Sequence, residues 1–385
     1  EIFIVAGQSN AQGDGRFSNA ISSLDERVLA FEPNYYDHNT ALIQNFPNFL
    51  SIDKFTNISG NTNIGPIGFT AWCWGELGDQ LVKKLNVPVL FYNTGLSGTS
   101  TENWLASISG KDTYHVVTGV KFDKFMPYHA FRRTLHSLLS IYGVRSVLWH
   151  QGESDAISRV SELTYFNNLR DLIQESRNNT GEKIPWVVAR VSRYEGINYP
   201  NIISGQNRVI STIESVWAGP STDEIQPFRP DGAHFENNNS VNGLSQLADA
   251  WNASLSNQFF TQINPILPKG IAEIKYSCIN QSEISLKFDK IYQSYQWSNG
   301  ATGSQIQANS GEISAILRDG FSNLYYTNRI NVPNVFPKIA PIVSPVISIV
   351  GCVGKTVELQ ANPSKYEVNW NNGTIANKIS ANQVS

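Results

Sequence analysis

The chain has 385 residues, 41% hydrophobic and only 16% charged, with a formal net charge of −3. That length holds two or three domains with a full core, and the slight acidity argues against a nucleic-acid or anionic-membrane partner held by charge. No apolar run approaches the roughly 18 residues that a bilayer span requires.

The chain opens on an apolar, β-prone run, Ile2 to Ala6, that stops at Gly7 and passes into Gln8-Ser9-Asn10, with Gly13 and Gly15 close behind. This predicts a buried strand ending in a tight turn. Ser9 would then stand at the carboxyl edge of a sheet, where open α/β sheets place their ligands. On this stretch alone two readings stand: a nucleophile on a rigid turn, or the N-cap of the next helix. Because the chain starts at Glu1 on a core-like strand and without Met, a removed signal peptide and an exported protein are expected.

Residues 16–67 read as loop, rich in Asn, Pro and Gly; irregular stretches this long are usually functional. Residues 68–86 read as a helix, with Leu77, Leu81 and Leu85 recurring every four residues and Pro88 ending the pattern. Val87 to Tyr92 is a second strand, running into the small-residue turn Gly95-Leu-Ser-Gly98-Thr. Residues 127–142 follow as a helix, with Phe131, Leu135 and Leu138 on its apolar face. Its Arg132 and Arg133 read as a solvated face, and His129 and His136 as packing or surface residues. Val144 to Trp149 is a third strand, ending in His150-Gln151-Gly-Glu153-Ser-Asp. A helix over 161–178, a strand from Ile184 to Val191, a helix over 203–214, a short strand from Ser215 to Ala218 and a closing helix over 240–258 complete the pattern. Strands alternating with helices imply a parallel sheet covered on both faces.

After about residue 265 the composition changes to short alternating strands with Asn-Gly turns, an all-β pattern. An internal repeat lies within it. Tyr295-Gln-Trp297-Ser-Asn-Gly300 follows Cys278, and Val368-Asn-Trp370-Asn-Asn-Gly373 follows Cys352, with Cys-to-Trp spacings of 19 and 18 residues. Pro337, Pro341 and Pro345 separate the copies. The expected division is an α/β domain over 1–264, a β-sandwich module over 265–340 and a second, shortened one over 341–385. The three cysteines, Cys73, Cys278 and Cys352, are too scattered for a metal site and suggest no disulfide framework.

Chemistry collects in the three strand-end turns and in Pro230-Asp231-Gly-Ala-His234-Phe235. Asp231 and His234, three residues apart in a turn, can face each other; the carboxylate then fixes the imidazole tautomer and leaves the other ring nitrogen to accept the Ser9 proton. His150 and Glu153 could be half of a metal site, but no second paired ligand appears. They otherwise read as residues bracing the Gln151 loop, or Glu153 as a substitute for Asp231. Trp72, Trp74 and Trp104 are candidates for a sugar-facing wall, with burial in the core equally open; Trp104 is favoured because it follows the glycine turn.

Gly-Gln-Ser9-Asn, Leu96-Ser-Gly98-Thr, Trp149-His-Gln151-Gly-Glu-Ser and Asp231-Gly-Ala-His234, in this order, resemble the four blocks of the SGNH (GDSL-like) hydrolases. Within these the chain is most similar to the branch of sialate O-acetylesterases and acetyl xylan esterases, the carbohydrate esterase family 6-like group. The resemblance implies a three-layer α/β/α flavodoxin-like domain and a serine carbohydrate acetylesterase that needs no cofactor or metal. It implies Ser9 as nucleophile, His234 as base and then acid, and Asp231 as its orienter. The oxyanion would be held by the Ser9 and Gly98 N–H groups and the Gln151 amide, with Gln8, Asn10 and Trp104 as candidate substrate-binding residues. An acetylated plant polysaccharide is the favoured substrate, with O-acetyl sialate and non-catalytic carbohydrate binding as alternatives. The tandem resembles the immunoglobulin-like modules of large secreted Bacteroidetes enzymes, which implies a secreted or cell-surface protein, attached to the surface or to polysaccharide through these modules.

Overall fold

A computed structural model describes residues 1–15, 19–37, 40, 42–280, 283–333, 346–353, 356–362, 370, 376 and 378–382. Two compact units emerge: Glu1–Lys275, Lys287–Ile306 and Ile313–Ile330 form the first, and Tyr276–Leu286, Gln307–Glu312 and Asn331–Ser385 the second.

The first unit begins β1 (Ile2–Gly7), α1 (Ser9–Gln12), β2 (Val28–Phe31), β3 (Tyr36–Asp37), β4 (Leu42–Ile43) and β5 (Phe55–Asn57). It continues with α2 (Trp74–Leu85), β6 (Val89–Asn93), α3 (Thr101–Ile108), α4 (Tyr128–Leu138), β7 (Ser146–His150), α5 (Glu153–Ile157) and α6 (Glu162–Thr180). β8 (Trp186–Arg190), α7 (Pro200–Thr212), β9 (Val216–Ser221), α8 (Gly243–Ser254) and α9 (Asn257–Gln262) follow. One seven-stranded sheet runs β5-β2-β6-β1-β7-β8-β9, parallel except for the edge strand β5.

The alternation of side chains along a strand explains why β1 is apolar throughout. Ile4 and Ala6 point into one core with Tyr92, Trp149, Phe131 of α4 and Leu169 of α6. Phe3 and Val5 point into the other, with Phe91, Leu148, Leu77 of α2 and Leu247 of α8. Both faces are therefore covered, and each fully buried large side chain contributes about 1.5–3 kcal/mol. β1 lies in the middle of the sheet, so whatever follows it is held by the central strand of the domain.

Four differences from the sequence reading have local causes. The expected loop over 16–67 contains β2, β5 and the β3–β4 hairpin; these strands are two to four residues long, too short to show a period. α3 was not expected; its signal is a capping box in which Ser100 and Asn103 satisfy each other's backbone N–H groups. The closing helix is two helices, because Ser256 caps a new one by accepting from Phe259 N. The helix expected over 203–214 starts earlier, at Pro200, a residue preorganised for a first turn.

The remaining strands are β10 (Lys275–Cys278), β11 (Ile284–Lys287), β12 (Ser294–Trp297), β13 (Gln305–Ala308), β14 (Gly311–Ile313), β15 (Ala315–Arg318) and β16 (Leu324–Tyr326). β17 (Ile330–Val332), β18 (Val346–Val353), β19 (Thr356–Asn362) and β20 (Lys378–Asn382) end the chain's strands. They form small sheets β10-β11-β13, β12-β15-β16, β14-β17 and β18-β19-β20. Trp297 Nε1 donates to Gly303 O at 2.8 Å, and Trp370 Nε1 donates to Ala376 O at 2.7 Å, so both repeat tryptophans satisfy the indole six residues on. Pro337, Pro341, Pro345 and the other residues of the second Trp motif lie outside the described residues.

The boundary expected at 264/265 does not coincide with the division into units. The β12-β15-β16 sheet belongs to the first unit because it is bonded to the α4–α6 face: Ser140 Oγ donates to Leu324 O, and Asn323 Nδ2 donates to Thr180 O at 2.8 Å. Cys73 is a buried free thiol and Cys278 an exposed one.

Candidate active site

The turns that leave the carboxyl ends of β1, β6 and β7 lie side by side. Gly7 has φ +129, and a Cβ there would sit 2.0 Å from His150 O, so only glycine lets β1 close against β7. Gln8 N then donates to His150 O at 3.1 Å, and Leu96 N to Gly7 O at 2.9 Å. Gln12 ties the second turn to the first: its Oε1 accepts from Ser97 N at 2.7 Å and its Nε2 donates to Ile67 O at 2.8 Å.

Ser9 is the first residue of α1 and only 3% exposed. The N-cap is Gln8, without a side-chain cap, so Ser9 is not the N-cap that the alternative reading allowed. As a first-turn residue its N–H has no intrahelical acceptor.

Asp231 and His234 meet. His234 Nδ1 donates to Asp231 Oδ2 at 2.6 Å, while Asp231 Oδ1 accepts from Ala233 N at 3.0 Å and His234 N at 2.8 Å. Burial disfavours the charge on both, but the bond to the partner outweighs it. Asp231 is held well below the usual carboxylate range and His234 above the usual imidazole value, with Asp14 and Glu153 adding to the latter.

Asn10 joins this pair to the Ser9 turn. Its Nδ2 donates to Ala233 O at 3.1 Å and its Oδ1 accepts from Phe235 N at 3.4 Å, so the neighbour of Ser9 holds both residues that flank His234. The same Nδ2 donates to Glu153 Oε1 at 2.7 Å. Arg229, which the sequence reading missed, completes the clasp: NH1 donates to Ala233 O at 2.9 Å and the guanidinium stacks 4.0 Å from the Phe235 ring centroid. Its signal was a lone arginine before the Asp-x-x-His motif, indistinguishable in sequence from a surface charge. Glu153 is buried; burial pushes its carboxyl up, but His150, Arg229 and Asn10 together hold it below the usual value.

Several expected roles are corrected. Gln8 is buried and its Oε1 accepts from Gln151 Nε2, Gly152 N and Ser154 N at 2.9, 3.2 and 3.0 Å, so it braces the third turn rather than facing substrate. Asn10 is likewise 0% exposed and spent on the clasp. Trp104 is 0% exposed, packed at 5.2 Å from Trp149 and donating to Thr99 Oγ1 at 3.1 Å, so it is core; Trp72 and Trp74 are buried too. Gln151 Nε2 lies 2.7 Å from Thr99 O, 2.7 Å from Asp155 Oδ2 and 2.9 Å from Gln8 Oε1. Two amide hydrogens facing three acceptors leave none for an oxyanion, so Gln151 does not supply the expected third donor in this arrangement.

Gly98, at φ +69, runs under the His115 ring; a Cβ would come within 2.3 Å of it. His115 Nδ1 accepts from Val117 N at 3.2 Å and Thr118 N at 3.3 Å, which puts the ring proton on Nε2. Asp155, another residue missed, is fully buried and pushed up to about 6 by burial, while accepting from Thr101 N at 3.0 Å and Thr101 Oγ1 at 2.6 Å. His150 lies 3.6 Å from Glu153, beyond hydrogen-bond distance, with its ring between Phe235 and Trp251. Among the described residues no group of three or more His, Cys, Asp or Glu side chains comes together in a metal-ligating cluster.

A three-layer α/β domain with its polar turns gathered at the carboxyl edge of a mostly parallel sheet, around a serine turn and an Asp–His pair, defines a hydrolase class of protein. Within that class, residues 1–252 match the family model described as carbohydrate esterase, sialic acid-specific acetylesterase, and the chain belongs to this family. It is a carboxylic ester hydrolase acting on carbohydrate esters. The chain is similar to a solved carbohydrate acetylesterase from Xanthomonas citri, with 13% identity and a TM-score of 0.46, covering 86% of this chain and 79% of that one. It is also similar to a protein from Arabidopsis thaliana, with 16% identity and a TM-score of 0.45, covering 68% of this chain and 98% of that one. No curated protein matches the chain.

Proposed function

We propose that the protein is a serine O-acetylesterase working through an acetyl-enzyme on Ser9. Ser9 Oγ attacks the acetyl carbonyl while His234 Nε2 takes its proton. The tetrahedral oxyanion is met by the Ser9 and Gly98 N–H groups. Collapse releases the sugar hydroxyl, which takes the proton back from His234. Water then gives a proton to His234 as it attacks the acetyl-enzyme; the second tetrahedral intermediate collapses, His234 returns that proton to Ser9 Oγ as the Oγ–C bond breaks, and the acetic acid leaves as acetate and a proton.

The observation that carries this reading is the Asp231–His234 bond of 2.6 Å together with the Asn10 clasp, which fixes the imidazole next to the Ser9 turn. A non-catalytic binding protein would have no use for that pair. The test is p-nitrophenyl acetate hydrolysis by the wild type and by Ser9→Ala. A fall of several orders of magnitude supports it; equal rates would make Ser9 a turn residue only.

An acetyl group on a plant polysaccharide such as acetyl xylan fits best as substrate. Arg190 and Arg193, the cations at and just beyond the carboxyl end of β8 that a sialate bound at the catalytic edge could use, are engaged: Arg190 donates to Gly219 O at 2.5 Å, and Arg193 to Pro227 O at 3.0 Å and Asn198 Oδ1 at 2.6 Å. The family description favours O-acetyl sialate as a second reading. Rates on the two substrates decide between them. The antiparallel sheets after residue 275 are read as immunoglobulin-like modules of an exported enzyme that hold it at a surface or on polysaccharide. Among the described residues no helix is long and apolar enough to cross a membrane.

A further inference from the structure

The first unit carries a cleft of about 760 Å³ away from the Ser9 turn, a size within the range of ligand sites, about 300–1,000 Å³. Arg132, Arg133 and His136 of α4 line it with Arg318 at the end of β15, and among the described residues no carboxylate lines it. Asn178 and Asn179, in the last turn of α6, line it too. Because α6 leads back to the start of β8, this is the amino edge of the parallel sheet, opposite the catalytic turns.

The face expected from sequence to be merely solvated is thus half-buried and shared by three guanidinium groups. Arg133 donates to Asn48 O at 2.8 Å and Asn48 Oδ1 at 3.3 Å, and Arg318 to Ser322 O at 3.3 Å. These partners are all neutral, and among the described residues none of the three arginines forms an ion pair. Arg133 Nε is buried without a partner. Burial, then the charges of Arg318 and Arg132, hold Arg133 below the usual guanidinium range. In a chain of net charge −3, this is an uncompensated positive pocket. Glu175, on α6, accepts from Asn179 Nδ2 at 2.5 Å and does not line the cleft.

The rest of the lining suits a sugar. Asn and Gln amides, Gln296 among them, offer donors and acceptors to hydroxyls, and Phe321, 53% exposed, offers a ring face to C–H groups. Arginine's fork matches a carboxylate with two parallel bonds. We propose that this cleft binds a carboxylate-bearing segment of an oligosaccharide, holding an acidic polysaccharide on the enzyme while an acetyl group elsewhere on the same chain meets Ser9. The glycan class rests on the esterase reading; the charge rests on the cleft.

The test is calorimetric titration of the full chain with oligogalacturonate, sialyllactose, neutral xylo-oligosaccharide and inorganic phosphate, with p-nitrophenyl acetate turnover measured on the same samples. Saturable binding of the uronate or the sialate ligand, with none of the neutral one, is expected, and the tighter of the two names the source of the carboxylate. Arg132→Gln, whose residue donates no hydrogen bond among the described residues, should weaken that binding about tenfold, the scale of a lost bond to a charged group. Arg318→Gln should do the same, with acetate-ester turnover unchanged in both. Equal binding of neutral and acidic ligands, phosphate binding as tight as the oligosaccharides, no binding at all, or unaltered affinity in both variants would overturn the proposal. Any of these with intact, Ser9-dependent turnover sinks the cleft alone; loss of Ser9 dependence sinks the esterase reading alone.

Discussion

Replacing Asp231 by Asn removes one charge and keeps the side chain's shape, which makes it the sharpest probe of the site. Asp231 Oδ1 accepts two backbone N–H groups, so an asparagine keeps its oxygen there and turns its NH₂ toward His234 Nδ1. Nδ1 must then accept, the ring proton moves to Nε2, and Nε2 can no longer take the Ser9 proton. A wrong-tautomer change of this kind lowers kcat by about 10⁴, or about 5.5 kcal/mol of barrier. The pH profile moves as well. In the wild type the bond to Asp231 outweighs burial and holds His234 above its usual value. In the proposed mechanism the neutral ring is the active form, so the rate is expected to rise with pH through a midpoint above that of an ordinary imidazole. In Asp231→Asn burial prevails and the midpoint falls. Stopped-flow and steady-state hydrolysis of p-nitrophenyl acetate from pH 5 to 9 reads both effects. A variant within tenfold of wild type, with the same midpoint, would refute the pairing and return Glu153 as the histidine's partner.

Asn10→Ala should lower kcat by one to two orders of magnitude with KM for a small ester little changed, because it removes one bond from each neighbour of His234 and leaves Glu153 without its 2.7 Å donor; a changed KM alone would mean that Asn10 binds substrate after all. Gly98→Ala puts a Cβ within 2.3 Å of the His115 ring at φ +69, so esterase activity should collapse while circular dichroism stays native; full activity would remove the Gly98 N–H from the oxyanion site. Trp104→Ala should cost about 3–5 kcal/mol in chemical denaturation, as a deleted core side chain does, and a stability change below about 1 kcal/mol would contradict its burial against Trp149.

The apolar runs at Ile2–Ala6, Val87–Tyr92 and Val144–Trp149 carried enough signal to specify the parallel sheet, because strands buried on both faces are uniformly apolar and end at glycine-containing turns. The four polar blocks were legible for the same reason: chemistry at a strand end needs small residues and fixed spacing, both of which are local. Asp231 and His234, three residues apart, needed no tertiary information to be paired. What the fold alone decided is which polar groups have a hydrogen left to offer and which surfaces meet. Gln151, Gln8 and Trp104 look like site residues in sequence, yet their partners Thr99, Ser154 and Trp149 arrive from separate segments and consume them. Arg229 and Arg132 look alike as surface charges, and only packing makes one a brace for the histidine loop and the other the wall of a positive cleft. Strand and turn identity depend on neighbours in sequence; hydrogen-bond saturation and charge compensation depend on neighbours in space, and a linear chain does not carry that information in any one place.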